Sequence, residues 1–393
     1  MQSLSQSPTD PEFVQNPYRF YAEARARGPI HYWTDYGVAC AFSHAAVSHC
    51  LKDRRMGREA PPEFAPAIPE HLRPFYDIEA HSMLELEPPR HSRLRRLVVS
   101  AFTSARINAL APDIAGLSHG LIDAFPDQPF DLLPQFASRI PVIVIARLLG
   151  VPAEMADDLL RWSNAMVAMY QARRTPEIEA AACAAASDFA AFLRRYVDER
   201  RSRPADDLIT HLIAAEQDGD RLSTDELIST CILLLNAGHE ATVQAIGNGV
   251  KTLLETGTDR RALAPGAIVG TVEEILRYDP PLHMFTRWVY EDLEVMGRPF
   301  KRGDRIALLL ASANRDAGIW EDAERFDPSR PVKTNASFGA GLHFCIGAPL
   351  ARLELQVALP ILFERCPKLR IADAPHYANL YHFHGLERLQ VGH

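Results

Sequence analysis

A glycine-rich loop that delivers one cysteine to the start of a helix constrains this chain more than any other feature. The loop runs Phe338-Gly339-Ala340-Gly341-Leu342-His343-Phe344-Cys345-Ile346-Gly347, and an apolar helical pattern with Pro349 in its first turn follows it. The glycines at 339, 341 and 347 allow positive φ and let backbone N–H groups converge on the sulfur. Because the helix dipole acts in the same direction, the loop is predicted to lower the thiol pKa of Cys345 and to hold it as a thiolate, which is the form that binds iron.

The pattern Phe-Gly-x-Gly-x-His-x-Cys-x-Gly closely resembles the haem-binding loop of the cytochrome P450 family. This resemblance implies that Cys345 ligates the iron of haem b, with Phe338, His343 and Gly347 also at the cofactor. The alternative is a buried, inert cysteine beside a glycine turn. Further family motifs elsewhere in the chain argue against that alternative.

Length and composition limit the other classes of protein. The 393 residues contain no linker, repeat or low-complexity block, which predicts one domain over residues 1–393. A net charge of −8 argues against a nucleic-acid partner. Six scattered cysteines without CxxC pairs are typical of reduced proteins, and the polar N-terminus resembles neither a signal peptide nor a membrane anchor. We expect a soluble cytoplasmic protein without membrane association.

Hydrophobic periodicity predicts a fold that is mainly α with a minor β portion. Apolar residues recur at helical spacing from about residue 93 to residue 251, whereas short alternating stretches at 31–33, 38–42, 293–296 and 305–310 indicate strands. The resemblance implies a cytochrome P450-like fold, in which haem lies between a long central helix and the Cys-loop helix. The Pro- and Glu-rich segment 54–83 is predicted to be a loop, either a lid or a plain surface loop.

The longest predicted helix follows the capping box Ser223-Thr224-Asp225-Glu226 and carries an apolar run of about thirty residues. In its middle, the small residues Ala237 and Gly238 precede the carboxylate of Glu240. In one interpretation they let a flat cofactor and a diatomic ligand lie against the backbone while Glu240 relays protons. In the other, they form a helix-packing notch beside a solvated glutamate.

This stretch resembles the family's oxygen-activation segment, Ala-Gly-x-Glu/Asp-Thr, with one departure. Ala241 stands where the family usually has a threonine whose hydroxyl helps to deliver protons. Thr242 points about 100° away on a regular helix, so it replaces the hydroxyl only if the helix is distorted. It could instead bond to a carbonyl of its own helix, while a substrate hydroxyl or an ordered water serves the oxygen. Glu240, Ala241 and Thr242 are the predicted catalytic positions.

Two further sets of charges match family motifs. Glu274 and Arg277 lie one helical turn apart, and with Arg330 they resemble the Glu-x-x-Arg motif and its meander, which implies a buried charge triad. Haem also carries two carboxylates that need cations, and the resemblance assigns this role to four residues that would singly be read as surface cations: His91, Arg95, Arg287 and His343.

The resemblance implies a haem-thiolate monooxygenase that inserts one oxygen atom of dioxygen into a small or medium hydrophobic substrate. A separate ferredoxin and its reductase would supply electrons, and the cations Arg93, Arg96 and Arg352 would form the docking patch on the proximal face unless they are ordinary solvated side chains. By analogy, the substrate pocket is lined by Leu234, Leu282, Met284, Phe285 and Phe383.

Two alternatives remain open. The missing hydroxyl at Ala241 favours a peroxide-driven haem enzyme or a haem-binding sensor. A zinc hydrolase would instead use a set of four potential ligands: His343, Cys345, His382 and His384.

Overall fold

The computed structural model describes residues 1–170, 174–217, 219–381 and 383–393. In this part the chain is mainly helical, as predicted. The α-helices are α1 (Pro11–Gln15), α2 (Tyr18–Arg27), α3 (His44–Lys52), α4 (Arg73–Glu79), α5 (Arg90–Ala101), α6 (Ser104–Ala109), α7 (Ala111–Asp123), α8 (Arg139–Leu149), α9 (Ala156–Val167), α10 (Pro176–Ser202), α11 (Leu208–Ala214), α12 (Thr224–Glu255), α13 (Ile268–Tyr278), α14 (Leu310–Ala313) and α15 (Ala348–Arg365). No described helix is both long and apolar enough to cross a membrane.

The strands are short and form a minor part of the fold. They are β1 (Ser3–Leu4), β2 (Ile30–Trp33), β3 (Val38–Ala41), β4 (Met56–Gly57), β5 (Phe130–Asp131), β6 (Glu216–Gln217), β7 (Asp220–Arg221), β8 (Met284–Val289), β9 (Leu293–Val295), β10 (Arg298–Phe300), β11 (Arg305–Leu309), β12 (Arg370–Ile371), β13 (His376–Tyr377), β14 (Leu386–Arg388) and β15 (Gln390–Gly392). The strand predictions near the N-terminus and at 293–310 are therefore confirmed.

The largest sheet has the strand order β1-β2-β3-β11-β8-β4. The hairpin β2–β3 is antiparallel, β11 lies parallel to β3, and β8 runs antiparallel to β11 with Met284 opposite Leu309. One hydrophobic cluster fills each side of this sheet, and a third, larger cluster lies among the helices. The sheet thus fixes β8, which carries several of the predicted site residues.

Helix α12 is the longest helix, as predicted, and its start is the expected capping box. Ser223 Oγ accepts the N–H of Glu226 at 3.2 Å, and the Glu226 carboxylate accepts the N–H of Ser223 at 2.8 Å. The 32 residues continue without interruption to Glu255, which corresponds to roughly 48 Å of helix. Helices α8, α9, α10, α13 and α15 pack against it. This central helix carries the predicted oxygen site.

The predicted loop over residues 54–83 is wrong in part. It contains strand β4, two short 3-10 turns (Pro62–Phe64 and Glu70–Leu72) and helix α4. Leu72 and Phe75 are buried in the large hydrophobic cluster, which explains why so short a helix is stable. Seven residues contain too few turns for helical periodicity to be recognised in the sequence.

Candidate functional site

The cysteine loop is shaped by two glycines in left-handed conformations. Gly339 has φ 68° and Gly341 has φ 69°, and a Cβ at Gly341 would collide with the carbonyl oxygen of Leu51. Gly347 has φ −80°, so its expected positive φ is wrong. A Cβ there would lie in ordinary van der Waals contact with Cys345 Sγ, at 3.8 Å. The loop therefore depends on glycine at 339 and 341 for its path and at 341 for its clearance from Leu51.

Burial raises the pKa of the Cys345 thiol, and this effect outweighs the groups that lower it: the N–H groups of Gly347 and Ala348 and the guanidinium groups of Arg95 and Arg352. The expectation that the loop alone lowers the thiol pKa is therefore wrong for the protein without a cofactor. Nevertheless the side chain is accessible, unlike every other cysteine of the chain. A metal that binds this sulfur would deprotonate the thiol outright, with these donors in place.

One face of α12 opens onto space inside the molecule. Ala237 is exposed and Ala241, one turn later, is half-buried, whereas Asn236 and His239 on the other sides of the helix are buried. A Cβ added to Gly238 would meet no atom within 4 Å. A helix-packing notch would be filled by a neighbouring side chain, so the arrangement favours the interpretation that a flat group lies here.

The catalytic positions occupy a regular helix. Thr242 is 4% exposed and points away from the face of Ala241, and its hydroxyl has no hydrogen-bond partner in the described part of the chain. The helix distortion that would let Thr242 replace the missing hydroxyl is absent from α12. Burial raises the pKa of Glu240, partly offset by a hydrogen bond from the side chain of Gln244. Sequence reasoning missed Gln244, although its position four residues after Glu240 is a usual helix-pair spacing.

Two of the predicted propionate contacts are buried, and within the described residues neither forms an ion pair with a carboxylate. Arg287 is 3% exposed, and burial, reinforced by the charge of Arg58, lowers its pKa to about 10. Its guanidinium donates to the carbonyl of Thr286 at 2.9 Å. His91 is 1% exposed, its Nδ1 has no partner, and burial lowers its pKa to about 4. Buried cations and orphaned donors of this kind fit the carboxylates of a haem.

The other two propionate candidates lie next to them but have protein partners. The His343 ring is 4.4 Å from that of His91, and its Nε2 lies 2.8 Å from Glu87. Burial works against ionisation of Glu87, but hydrogen bonds from His343 and from the Arg58 N–H outweigh it, so the pKa of Glu87 is lowered. Arg95 donates to the carbonyl of Phe344 at 2.7 Å. No sequence signal identified Glu87 as a partner.

The three residues of the predicted charge triad lie together. Glu274 and Arg277 are joined at 2.7 and 2.8 Å, and Arg330 Nε lies 3.5 Å from Glu274. The Arg277 guanidinium also donates to the carbonyls of Asn314 and Ala323, at 2.9 and 2.8 Å. The triad therefore ties α13 to the chain that leads into the cysteine loop, and Phe338 of that loop packs beneath the Arg352 guanidinium at 4.5 Å.

The predicted pocket residues come from three segments. Leu282 and Phe383 form an antiparallel bridge, and Leu234 is buried on α12. Met284 and Phe285 are neighbours on β8 and pack against different hydrophobic clusters. Because successive strand residues point to opposite faces, these two side chains lie on different faces of β8, and their place in the pocket stays a prediction.

Among the predicted docking cations, Arg93 and Arg352 form ion pairs. Arg93 binds Glu226 at 2.8 Å and Asp220 at 3.1 Å, and its place in the docking patch stays a prediction. Arg352 pairs with Glu273. Arg96 is exposed on α5.

The ligand set of the zinc alternative is not assembled in the described residues. His343 binds Glu87, His384 lies in a buried cluster with Asp279 and His283, and Cys345 belongs to neither group. His382 falls outside the residues that the structure describes.

Comparisons with known proteins agree with this geometry. The family model described as Cytochrome P450 matches residues 269–369. Vitamin D(3) 25-hydroxylase from Pseudonocardia autotrophica is 38% identical over 96% of this chain and 94% of that protein. Cytochrome P450 monooxygenase PikC from Streptomyces venezuelae is 36% identical over 93% of this chain and 87% of that protein.

Among solved structures, P450BioI in complex with an acyl carrier protein ligated to hexadec-9Z-enoic acid superposes with a TM-score of 0.91 at 33% identity, over 97% of this chain and 99% of that one. The similarity thus extends over nearly the whole chain in both sequence and fold. The residues matched by the family model span the charge triad and the cysteine loop. The chain therefore belongs to the cytochrome P450 family of monooxygenases.

Proposed function

We propose that this protein is a haem-thiolate monooxygenase that inserts one oxygen atom of dioxygen into a small or medium hydrophobic molecule. Electrons come from a separate ferredoxin and ferredoxin reductase, and the enzyme acts in the cytoplasm. The observation that carries the proposal is the exposed Cys345, held by a loop in which Gly339 and Gly341 take positive φ.

The residues present fit haem b. Cys345 would ligate the iron, Ala237 and Gly238 would lie against the flat ring, and the buried groups of Arg287 and His91 would meet the propionates. When bound, the haem supplies the chemistry that activates dioxygen. His343 would be a further propionate contact if its ring exchanged the Glu87 carboxylate for a propionate.

Proton supply is the step in which this chain differs from its family pattern. Glu240 is partly buried and its pKa is raised, so it can hold a proton at the interior face of α12. The side chain of Gln244 orients its carboxylate. Because Ala241 has no hydroxyl and Thr242 faces elsewhere, a substrate hydroxyl or an ordered water completes the path from Glu240. Substrates with a hydroxyl near the oxidised carbon should therefore yield the most product per NADH consumed.

The electron donor docks where α5 meets the cysteine loop. Arg95 joins α5 to Phe344, whose aromatic side chain is 37% exposed. Val99, one turn after Arg95, is 45% exposed. These apolar groups and the exposed guanidinium of Arg96 form a mixed basic and apolar surface, which suits an acidic ferredoxin.

The first test is the carbon monoxide difference spectrum of the reduced protein. A strongly red-shifted Soret band supports thiolate ligation, whereas a band typical of histidine-ligated haem, or no haem, contradicts it. Turnover is then compared with NADH, ferredoxin and reductase against hydrogen peroxide alone. Turnover with peroxide only would favour the alternative of a peroxide-driven enzyme, to which the alanine at 241 is suited.

A further inference from the structure

A buried hydrogen-bonded cluster lies beside the interior face of α12. We call it the carboxylate clamp and define it as Tyr18, Asp279, His283, Tyr377 and His384. At its centre, Asp279 is 4% exposed and accepts the Tyr18 hydroxyl at 2.7 Å and the Tyr377 hydroxyl. His384 Nε2 lies 3.5 Å from the same carboxylate.

The two imidazoles of the clamp are neutral. Burial lowers the pKa of His283 and of His384 well below the ordinary value. Tyr21 places its hydroxyl 3.0 Å from His283 Nδ1, and the ring of His384 stacks on that of Tyr377 at 3.7 Å. The His283 imidazole is thus held by hydrogen bonds with two tyrosines, and the His384 imidazole by its stacking on Tyr377 and its approach to Asp279.

The clamp joins the segments that carry predicted pocket residues. The N–H of His384 donates to the carbonyl of Pro281 at 2.7 Å, directly beside the bridge between Leu282 and Phe383. Asn248, fully buried on α12, donates to the carbonyl of His384 at 2.8 Å and to that of Asp279 at 3.3 Å. The entry to β8 and the C-terminal segment are therefore fixed to each other and to α12.

We propose that the carboxylate clamp positions the wall formed by Leu282 and Phe383 against α12 and so sets the shape of the space open to substrate. Its members are positioning residues that act through this wall. The inference rests on the proposed function in one respect only, namely that this space receives the substrate.

The same atoms offer a second interpretation, because Asp279, His283 and His384 lie close enough together to bind a metal ion. However, both oxygens of Asp279 already accept tyrosine hydroxyls. The Arg315 guanidinium hydrogen-bonds to Glu324 and to the carbonyl of Tyr278. It also lies 3.4 Å from the centre of the Tyr18 ring and interacts electrostatically with Asp279. A second cation in this enclosed place would be repelled, which favours the clamp.

The experiment compares two iron ligands in the purified holoenzyme. Imidazole binds the iron alone, whereas 4-phenylimidazole also places a ring against the pocket wall. Spectral titration gives the ratio of their dissociation constants for Tyr377→Phe and His384→Asn. Tyr36→Phe is the matched control, since the Tyr36 ring packs on those of Trp33 and Tyr381 and its hydroxyl makes no hydrogen bond to the clamp among the described residues.

We expect the ratio to change about fivefold in Tyr377→Phe, the effect of one lost hydrogen bond. It should also change in His384→Asn, which removes the stacked ring and its contact with Asp279, and stay constant in the control. General loosening of the fold would lower the melting temperature without changing the ratio. A constant ratio in both clamp variants overturns the proposal. So does one equivalent of zinc that binds the wild-type holoenzyme and is lost in His384→Asn. Failure of the proposed function itself would be seen separately, as a wild-type protein without the thiolate carbon monoxide band.

Discussion

Glu274 and Arg277 form a bidentate ion pair within one helical turn, with both side chains almost fully buried. Four oxygen and nitrogen atoms are thereby removed from water and satisfied by each other. Arg330 and several backbone groups complete the set. Because every charge here has a partner, loss of one partner leaves the other buried and unpaired.

Glu274→Gln is expected to lower the free energy of unfolding by about 3–5 kcal/mol and to reduce haem content, since the Arg277 charge is then uncompensated. Urea unfolding and the haem-to-protein ratio measure these effects. The control is Glu23→Gln, which breaks the exposed pair of Glu23 with Arg19 and should cost less than about 1 kcal/mol. Equal effects of the two changes would contradict the assigned role of the buried pair.

Gly341→Ala is expected to prevent stable haem binding, because the new Cβ would collide with the Leu51 carbonyl and the residue would keep a positive φ. Gly297→Ala separates these two causes. Gly297 also has a positive φ, of 74°, but a Cβ there meets nothing within 4 Å. That control should lose only about 1 kcal/mol of stability and bind haem normally. Normal haem loading in Gly341→Ala would show that the loop can take another path.

Cys345→Ser is expected to abolish the thiolate-type spectrum, because a serine hydroxyl does not replace a thiolate as ligand. Cys366→Ser is the matched control, since Cys366 is buried at the C-terminal end of α15, the end that lies away from the cysteine loop. The carbon monoxide difference spectrum of both variants decides the matter. Retention of the wild-type band in Cys345→Ser would end the ligand assignment.

Ala241→Thr is expected to change the fraction of NADH that yields product while leaving haem content unchanged, since it restores a hydroxyl on the open face of α12. Ala241→Val adds the same volume without the hydroxyl and serves as control. Product and hydrogen peroxide are measured per NADH consumed. If threonine and valine change coupling equally, the effect is steric and proton delivery at this position plays no part.

Glu354 on α15 gives a prediction of pH dependence. The side chain is 1% exposed, and burial raises its pKa to about 8. Between its unfolded pKa of about 4.3 and this value, the folded state binds the extra proton, so stability should fall as the pH rises through this range. The stability difference between wild type and Glu354→Gln should shift by about 1–3 kcal/mol in favour of the variant from pH 5 to pH 8.5. A difference independent of pH in thermal unfolding would contradict this.

Much of the fold follows from sequence where the signal is local. The capping box before α12 and the alternating residues of β2, β3 and β11 identified those elements correctly, because caps and periodicity depend on neighbouring residues. Helix α4 was missed, since its two buried residues, Leu72 and Phe75, gain their stability from contacts with distant parts of the chain.

The functional site likewise divides into residues that local motifs reveal and residues that only long-range contacts bring together. Cys345, Glu274 and Arg277 lie in motifs whose spacing is recognisable. Glu87, which holds His343, and the carboxylate clamp could not be predicted, because their partners come from segments far apart in sequence. The opposite directions of Met284 and Phe285 follow from strand β8, which was not among the predicted strands.

The contact between Arg93 and Glu226 links the two sides of the cofactor space. Arg93 stands on α5, the helix that also carries His91 and Arg95, and Glu226 belongs to the first turn of α12. An ion pair therefore connects the helix on which an electron donor would dock to the first turn of the central helix. Mechanical strain applied to α5 by a docked protein would reach the first turn of α12 directly, so that partner binding and oxygen chemistry need not be independent events.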